Sequence, residues 1–90
     1  MKPVFLIYTT DAWLSHASME IVALATTERL RDRLVRKYIL EESAEKPAGL
    51  RDLAAEAIRQ IRQMSQTHCL SEMLDYEILV EERTPNEIEY

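Results

Sequence analysis

Apolar and polar residues alternate along this chain with two periods, and the change from one to the other marks out its elements. Val4 to Thr10 is rich in β-branched and aromatic residues and reads as a strand. Its two alternating sets are both apolar, Val4, Leu6 and Tyr8 on one and Phe5 and Ile7 on the other. A strand of that kind belongs in the centre of its sheet or under cover on both sides. Residues 11–18 form a polar connection that carries Trp13. The next run, Met19 to Thr26, is short and apolar, and periodicity alone fits either a buried strand or the start of a helix. Its brevity favours a strand, as does the Thr26-Thr27-Glu28 that follows, a helix start with a Thr cap and an acid in the first turn. The competing reading is a single helix from about Ser18 to Glu42.

From Thr27 to Glu42 the period lengthens, with Leu30, Leu34 and Tyr38 four residues apart and Val35 widening the stripe. Glu41 to Gly49 is a linker, because Pro47 cannot continue a helix. A second helix opens at Leu50. Leu50, Leu53, Ala54, Ala57, Ile58, Ile61, Met64 and Ser65 make its apolar stripe, and its end is expected near Thr67 to Cys69. In the last strand Leu74, Tyr76, Ile78 and Val80 face inward, and Asp75, Glu77, Leu79 and Glu81 face water. Pro85 stops it. The expected fold is α+β in the order β-β-α-α-β. Two antiparallel helices lie on one face of a three-stranded antiparallel sheet of order 2-1-3, a two-layer arrangement. Residues 1–84 make one domain and 85–90 a loose tail.

Composition narrows this picture. One glycine and three prolines in 90 residues leave few cheap turns, which argues against a sandwich or barrel of many short strands. The single cysteine, Cys69, has no internal disulfide partner and reads as a small buried hydrophobe in a reducing compartment. The five apolar residues from Val4 to Tyr8 are too few for a signal peptide or a membrane span, so a cytoplasmic protein is expected. The net charge of −5 lies entirely in residues 75–90, where six acids face Arg83 alone; the ten bases and ten acids before them cancel. A neutral body with an acidic end is a poor general nucleic-acid binder.

Candidate chemistry is sparse. Asp11, Ser15 and His16 are the residue types of a hydrolase triad, but no nucleophile elbow accompanies them and no glycine shapes an oxyanion site. The plainer reading is a polar connection bonding its own backbone. His16, His68 and Cys69 lack the spacing of a zinc site, so neither metal nor cofactor is expected. His68 fits the end of the second helix, where a cation suits the dipole. Arg29, Arg33, Arg36 and Lys37 form a row on the first helix, with Arg31 apart from it and Glu28 and Asp32 diluting it. Trp13 and Leu14 are either partner anchors or a lid on the open end of the core. The last strand shields its edge with Glu77, Glu81 and Glu82; the second has only Glu20 near its start and is free to pair with another copy.

Phe5 to Trp13, then Ser15-His16 and Ile21 to Thr27, resemble a group of small bacterial and phage proteins. In that group an opening strand ends in Asp-x-Trp, and a Ser/His turn leads to a second strand and a Thr-initiated helix. The similarity covers about the first third of the chain, with an echo at Gln66-Thr67 and in the acidic last strand. It implies a strand at Ile21 to Thr26 and carries no activity. The expected function is a non-enzymatic protein-binding or regulatory module. Its contact surface would be Thr10, Asp11, Trp13, Leu14, Ser15 and His16, with homodimerisation open. The alternatives are a nucleic-acid-associated protein using Arg29, Arg33, Arg36 and Lys37, and an enzyme using Asp11 and His16.

Overall fold

Strand patterning at the N-terminus and helical patterning in the middle resolve into five principal elements and one short turn of helix. The computed structural model describes residues 3–11, 19–42 and 48–84. Its elements are β1 (Val4–Thr10), β2 (Glu20–Ala25), α1 (Glu28–Glu42), α2 (Leu50–Met64), α3 (Ser71–Leu74) and β3 (Glu77–Arg83). The sheet order is β2-β1-β3, with β1 antiparallel to both neighbours. The α+β layout and the 2-1-3 order are therefore as the patterning predicts. The strand at β2 rules out the single helix from Ser18.

Residue chemistry explains the boundaries. Thr27 caps α1, its hydroxyl accepting a hydrogen bond from the Leu30 N–H at 3.0 Å, and Glu28 places an acid in the first turn. Gly49 precedes α2 at φ +83°, in the left-handed region, and its carbonyl accepts the Leu53 N–H at 2.9 Å.

The core is built from one face of each element. Phe5, Ile7, Ala25, Val35, Ile39, Leu50, Ala54, Ala57, Ile61, Leu70, Ile78 and Val80 are buried in a single cluster. The inner stripe of α1 is centred one residue further round than Leu30, Leu34 and Tyr38, which are half-buried; the buried positions are Arg31, Val35 and Ile39. Because α1 packs against both the sheet and α2, the residues facing that angle are buried, and the Leu30–Leu34–Tyr38 flank looks toward β2. Tyr38 meets Tyr76 edge to face, with centroids 5.8 Å apart.

Three expectations are corrected after α2. The helix ends at Met64, because Ser65 turns left-handed at φ 61° and returns its N–H to the Ile61 carbonyl. His68 therefore lies beyond the last turn and does not cap the helix dipole. The chain then runs beside β3: Thr67 N–H donates to the Ile78 carbonyl at 2.9 Å, and Val80 N–H to the Ser65 carbonyl at 2.8 Å. The outer edge of β3 is thus covered by main chain, in addition to its acids. Finally, β3 begins at Glu77, since Ser71–Leu74 forms a helical turn, and Glu77 is buried, 3% exposed.

Gly49 has open space where a Cβ would lie, so its replacement tests backbone conformation alone. Gly49→Ala is expected to cost about 1–2 kcal/mol and to lower the melting temperature by roughly 4–8 °C per kcal/mol. Thermal denaturation by circular dichroism checks this.

Candidate functional site

The two helices cover one face of the sheet, and no helical layer among the described residues covers the other. On that second face the register places Tyr8 between Ile21 and Leu79, and Leu6 between Leu24 and Glu81. Ile21 and Leu24 would point to opposite faces of a regular strand, being three residues apart. A bulge opposite Ile7 and Tyr8 inserts Val22 and restores them to the same side. They are the most exposed large apolar side chains among the described residues, at 55% and 60%. Val22 and Ala23 are half-buried instead, and pack against the core.

Between β2 and α1 this arrangement leaves a cleft of about 180 Å³, lined by Val22, Ala23, Leu34, Lys37, Tyr38 and Glu41. A second hollow of about 480 Å³ adjoins it, sharing Leu34, Lys37 and Glu41 and adding Leu30, Arg33, Arg36 and Leu40. Three members of the basic row, Arg33, Arg36 and Lys37, line it. Arg29, Arg33, Arg36 and Lys37 are all exposed, and none enters an ion pair among the described residues. From Arg29 to Lys37 the row spans about 12 Å of helix.

The two acids expected to dilute that row behave differently. Glu28 stays exposed beside it. Asp32 is occupied: Arg31 Nε and a terminal nitrogen both donate to Oδ1 at 3.1 Å, and Arg62 donates to Oδ2 at 2.8 and 2.7 Å. The Arg31 guanidinium lies 5.0 Å from the centre of the Phe5 ring. This clamp joins the start of α1 to the end of α2 and to β1, so it serves the fold. It also removes Asp32 as a counterion for the exposed row.

A second polar cluster lies at the other end of β1. The Glu77 carboxylate accepts the Thr67 hydroxyl at 2.5 Å, the Leu70 N–H at 3.2 Å and the Ser71 N–H at 3.0 Å. Burial pushes this carboxyl up, but the donors from Ser71, Thr67 and Leu70 more than offset that and hold it below the usual value. Cys69 nearby is half-buried, and burial together with the Glu77 charge raises its thiol, the opposite of an activated nucleophile. His68 is exposed; its N–H donates to Gln60 Oε1 at 2.7 Å, and its ring pairs with the Gln66 amide. No group of three His, Cys, Asp or Glu residues among the described residues is arranged to hold a metal.

Of the contact residues read from the sequence, Trp13, Leu14, Ser15 and His16 lie outside the described residues. Thr10 is 3% exposed, and its hydroxyl donates to the Asp11 carbonyl at 3.3 Å; Asp11 is half-buried. The β2–α1 cleft and the Ile21–Leu24 pair were not foreseen. Both depend on the bulge, which has no signature in the alternation of residue types. No helix among the described residues is long and apolar enough to cross a membrane. No family model, curated protein or solved structure matches the chain, so the resemblance of its first third assigns it to no family.

Glu77 sets a pH dependence with a definite sign. Its carboxyl titrates lower in the folded chain than in the unfolded one, so its stabilisation is full above the unfolded value and is lost as pH falls through the folded value. Glu77→Gln is expected to cost about 1–3 kcal/mol at neutral pH and to flatten the loss of stability on acidification. Urea denaturation at a series of pH values reads both effects.

Proposed function

We propose that this chain is a small non-enzymatic protein-binding module whose contact surface is centred on β2. The observation that carries the reading is the pair Ile21 and Leu24, large apolar side chains exposed on the face of the sheet that no helix among the described residues covers. Solvent-exposed apolar groups scattered singly are ordinary, whereas a contiguous set on a scaffold this small is the mark of an interaction surface. Leu6, Tyr8 and Leu79 continue the set behind them. Trp13, which precedes β2 in the chain and lies outside the described residues, is a further candidate anchor by residue type alone. The same proposal sets the module in the cytoplasm, where a lone cysteine stays reduced, and gives it no metal or cofactor.

The test compares the native chain with the double variant Ile21→Ser/Leu24→Ser. Both substitutions are at exposed positions, so the variant is expected to keep its circular dichroism and most of its stability. Loss of at least one captured partner, whose direct binding to the native chain is then measured with both proteins purified, supports the reading. Retention of every partner by both this variant and Trp13→Ala overturns it.

A second reading rests on the basic row. Arg29, Arg33, Arg36 and Lys37 offer four cations without ion pairs among the described residues, enough for association with a phosphate backbone. It predicts binding to single-stranded DNA that weakens with salt, with a slope on a log–log plot of about −0.7 per phosphate contacted. Anisotropy titrations at two salt concentrations decide it, and absence of binding at low salt removes it.

A further inference from the structure

The two edges of the sheet are finished differently. Main chain from Ser65 to Thr67 lies along β3, whereas nothing among the described residues pairs with the outer edge of β2. An unpaired edge beside a helix is a known mode of peptide recognition, in which an extended segment adds a strand and sets alternate side chains into the groove. Here the groove is present: Val22 and Ala23 from β2 and Leu34 and Tyr38 from α1 form an apolar floor, with Lys37 and Glu41 at the rim. Its extension adds Arg33 and Arg36, so three cations face one carboxylate around the two hollows.

We propose that an extended acidic segment of a partner protein binds here as a fourth strand beside β2. Its apolar side chains enter the β2–α1 cleft, and its carboxylates meet Arg33, Arg36 and Lys37. The proposal rests on the protein-binding reading and names the chemistry of the partner. Charge selects the occupant. A basic segment would meet Lys37 at the rim of the cleft and Arg33 and Arg36 around the adjoining hollow, and like charges brought together there oppose docking. Because Asp32 is held by Arg31 and Arg62, it does not neutralise the row from within α1. A nucleic acid would satisfy the cations but has no backbone N–H and C=O pattern for the strand edge. A second copy of β2 would bring only one carboxylate, Glu20, to the three cations, so charge favours an acidic segment over self-pairing.

The probe is a soluble synthetic peptide of alternating Glu and Val, with an alternating Lys and Val peptide and a thymidine oligonucleotide as comparisons. Each is titrated into isotope-labelled protein and followed by amide NMR. The expected result is that the Glu peptide alone perturbs the amides of Glu20–Ala25 together with those of α1 from Arg33 to Glu41, and slows hydrogen exchange along β2. Arg33→Glu/Lys37→Glu, at exposed positions, is expected to weaken that binding by about tenfold or more while leaving the fold intact. The proposal is overturned if millimolar Glu peptide leaves β2 unperturbed, or if the Lys peptide binds as well. It is equally overturned if only the oligonucleotide acts, through α1 without β2, or if β2 proves already protected by self-association. A partner that still requires Ile21 and Leu24 when the Glu peptide fails would leave the protein-binding reading standing and remove this inference alone.

Discussion

Two fifteen-residue helices can cover one face of a three-stranded sheet and no more, and the structure follows from that limit. β1 is central, and Phe5 and Ile7 take the covered face, where they meet Val35, Ile39, Ala54, Ala57 and Ile61. Leu6 and Tyr8 therefore stand on the other face, half-buried by their strand neighbours, although the strand is apolar on both sides. An apolar second face ordinarily calls for a second layer. Its absence among the described residues leaves the surface on which the functional reading rests.

The polar interior compensates for a small core. Every buried side-chain nitrogen and oxygen among the described residues has a partner. Two of these groups are charged, and they are handled differently. Arg31 pairs with Asp32 and lies over the face of Phe5, so a guanidinium occupies a position in the inner stripe of α1. Glu77 is held by hydroxyl and amide donors, which organise Thr67 to Ser71 and bring that segment against β3. One carboxylate thereby closes one edge of the sheet, and no comparable device acts on β2 among the described residues.

Charge placement gives the molecule its sidedness. The acids of the last strand and the cations of α1 are on separate elements, and the clamp takes up Asp32, the half-buried acid of α1. Exposed on α1 beside Glu28 and Glu41 is a row of four cations, of which Arg33, Arg36 and Lys37 border a hollow with Leu30, Leu34 and Leu40. Such a surface suits an anionic partner that also has apolar groups to bury, which favours a peptide over a phosphate backbone.

Alternation and helical spacing determined the element order, the central place of β1, the Thr27 cap and the 2-1-3 sheet, because each follows from residue type at a fixed local period. The basic row was legible for the same reason. Tertiary structure alone decided the rest. Glu77 reads as a wet position until donors from Thr67, Leu70 and Ser71 converge on it. Arg31 reads as surface until Phe5 and Asp32 surround it. The end of α2 depends on a left-handed Ser65, a conformation its residue type does not announce. The bulge at Val22 brings Ile21 and Leu24 to one face through pairing with β1. The exposed Ile21–Leu24 pair, on which the proposed contact surface rests, depends on that long-range register, which the order of residues along β2 does not encode.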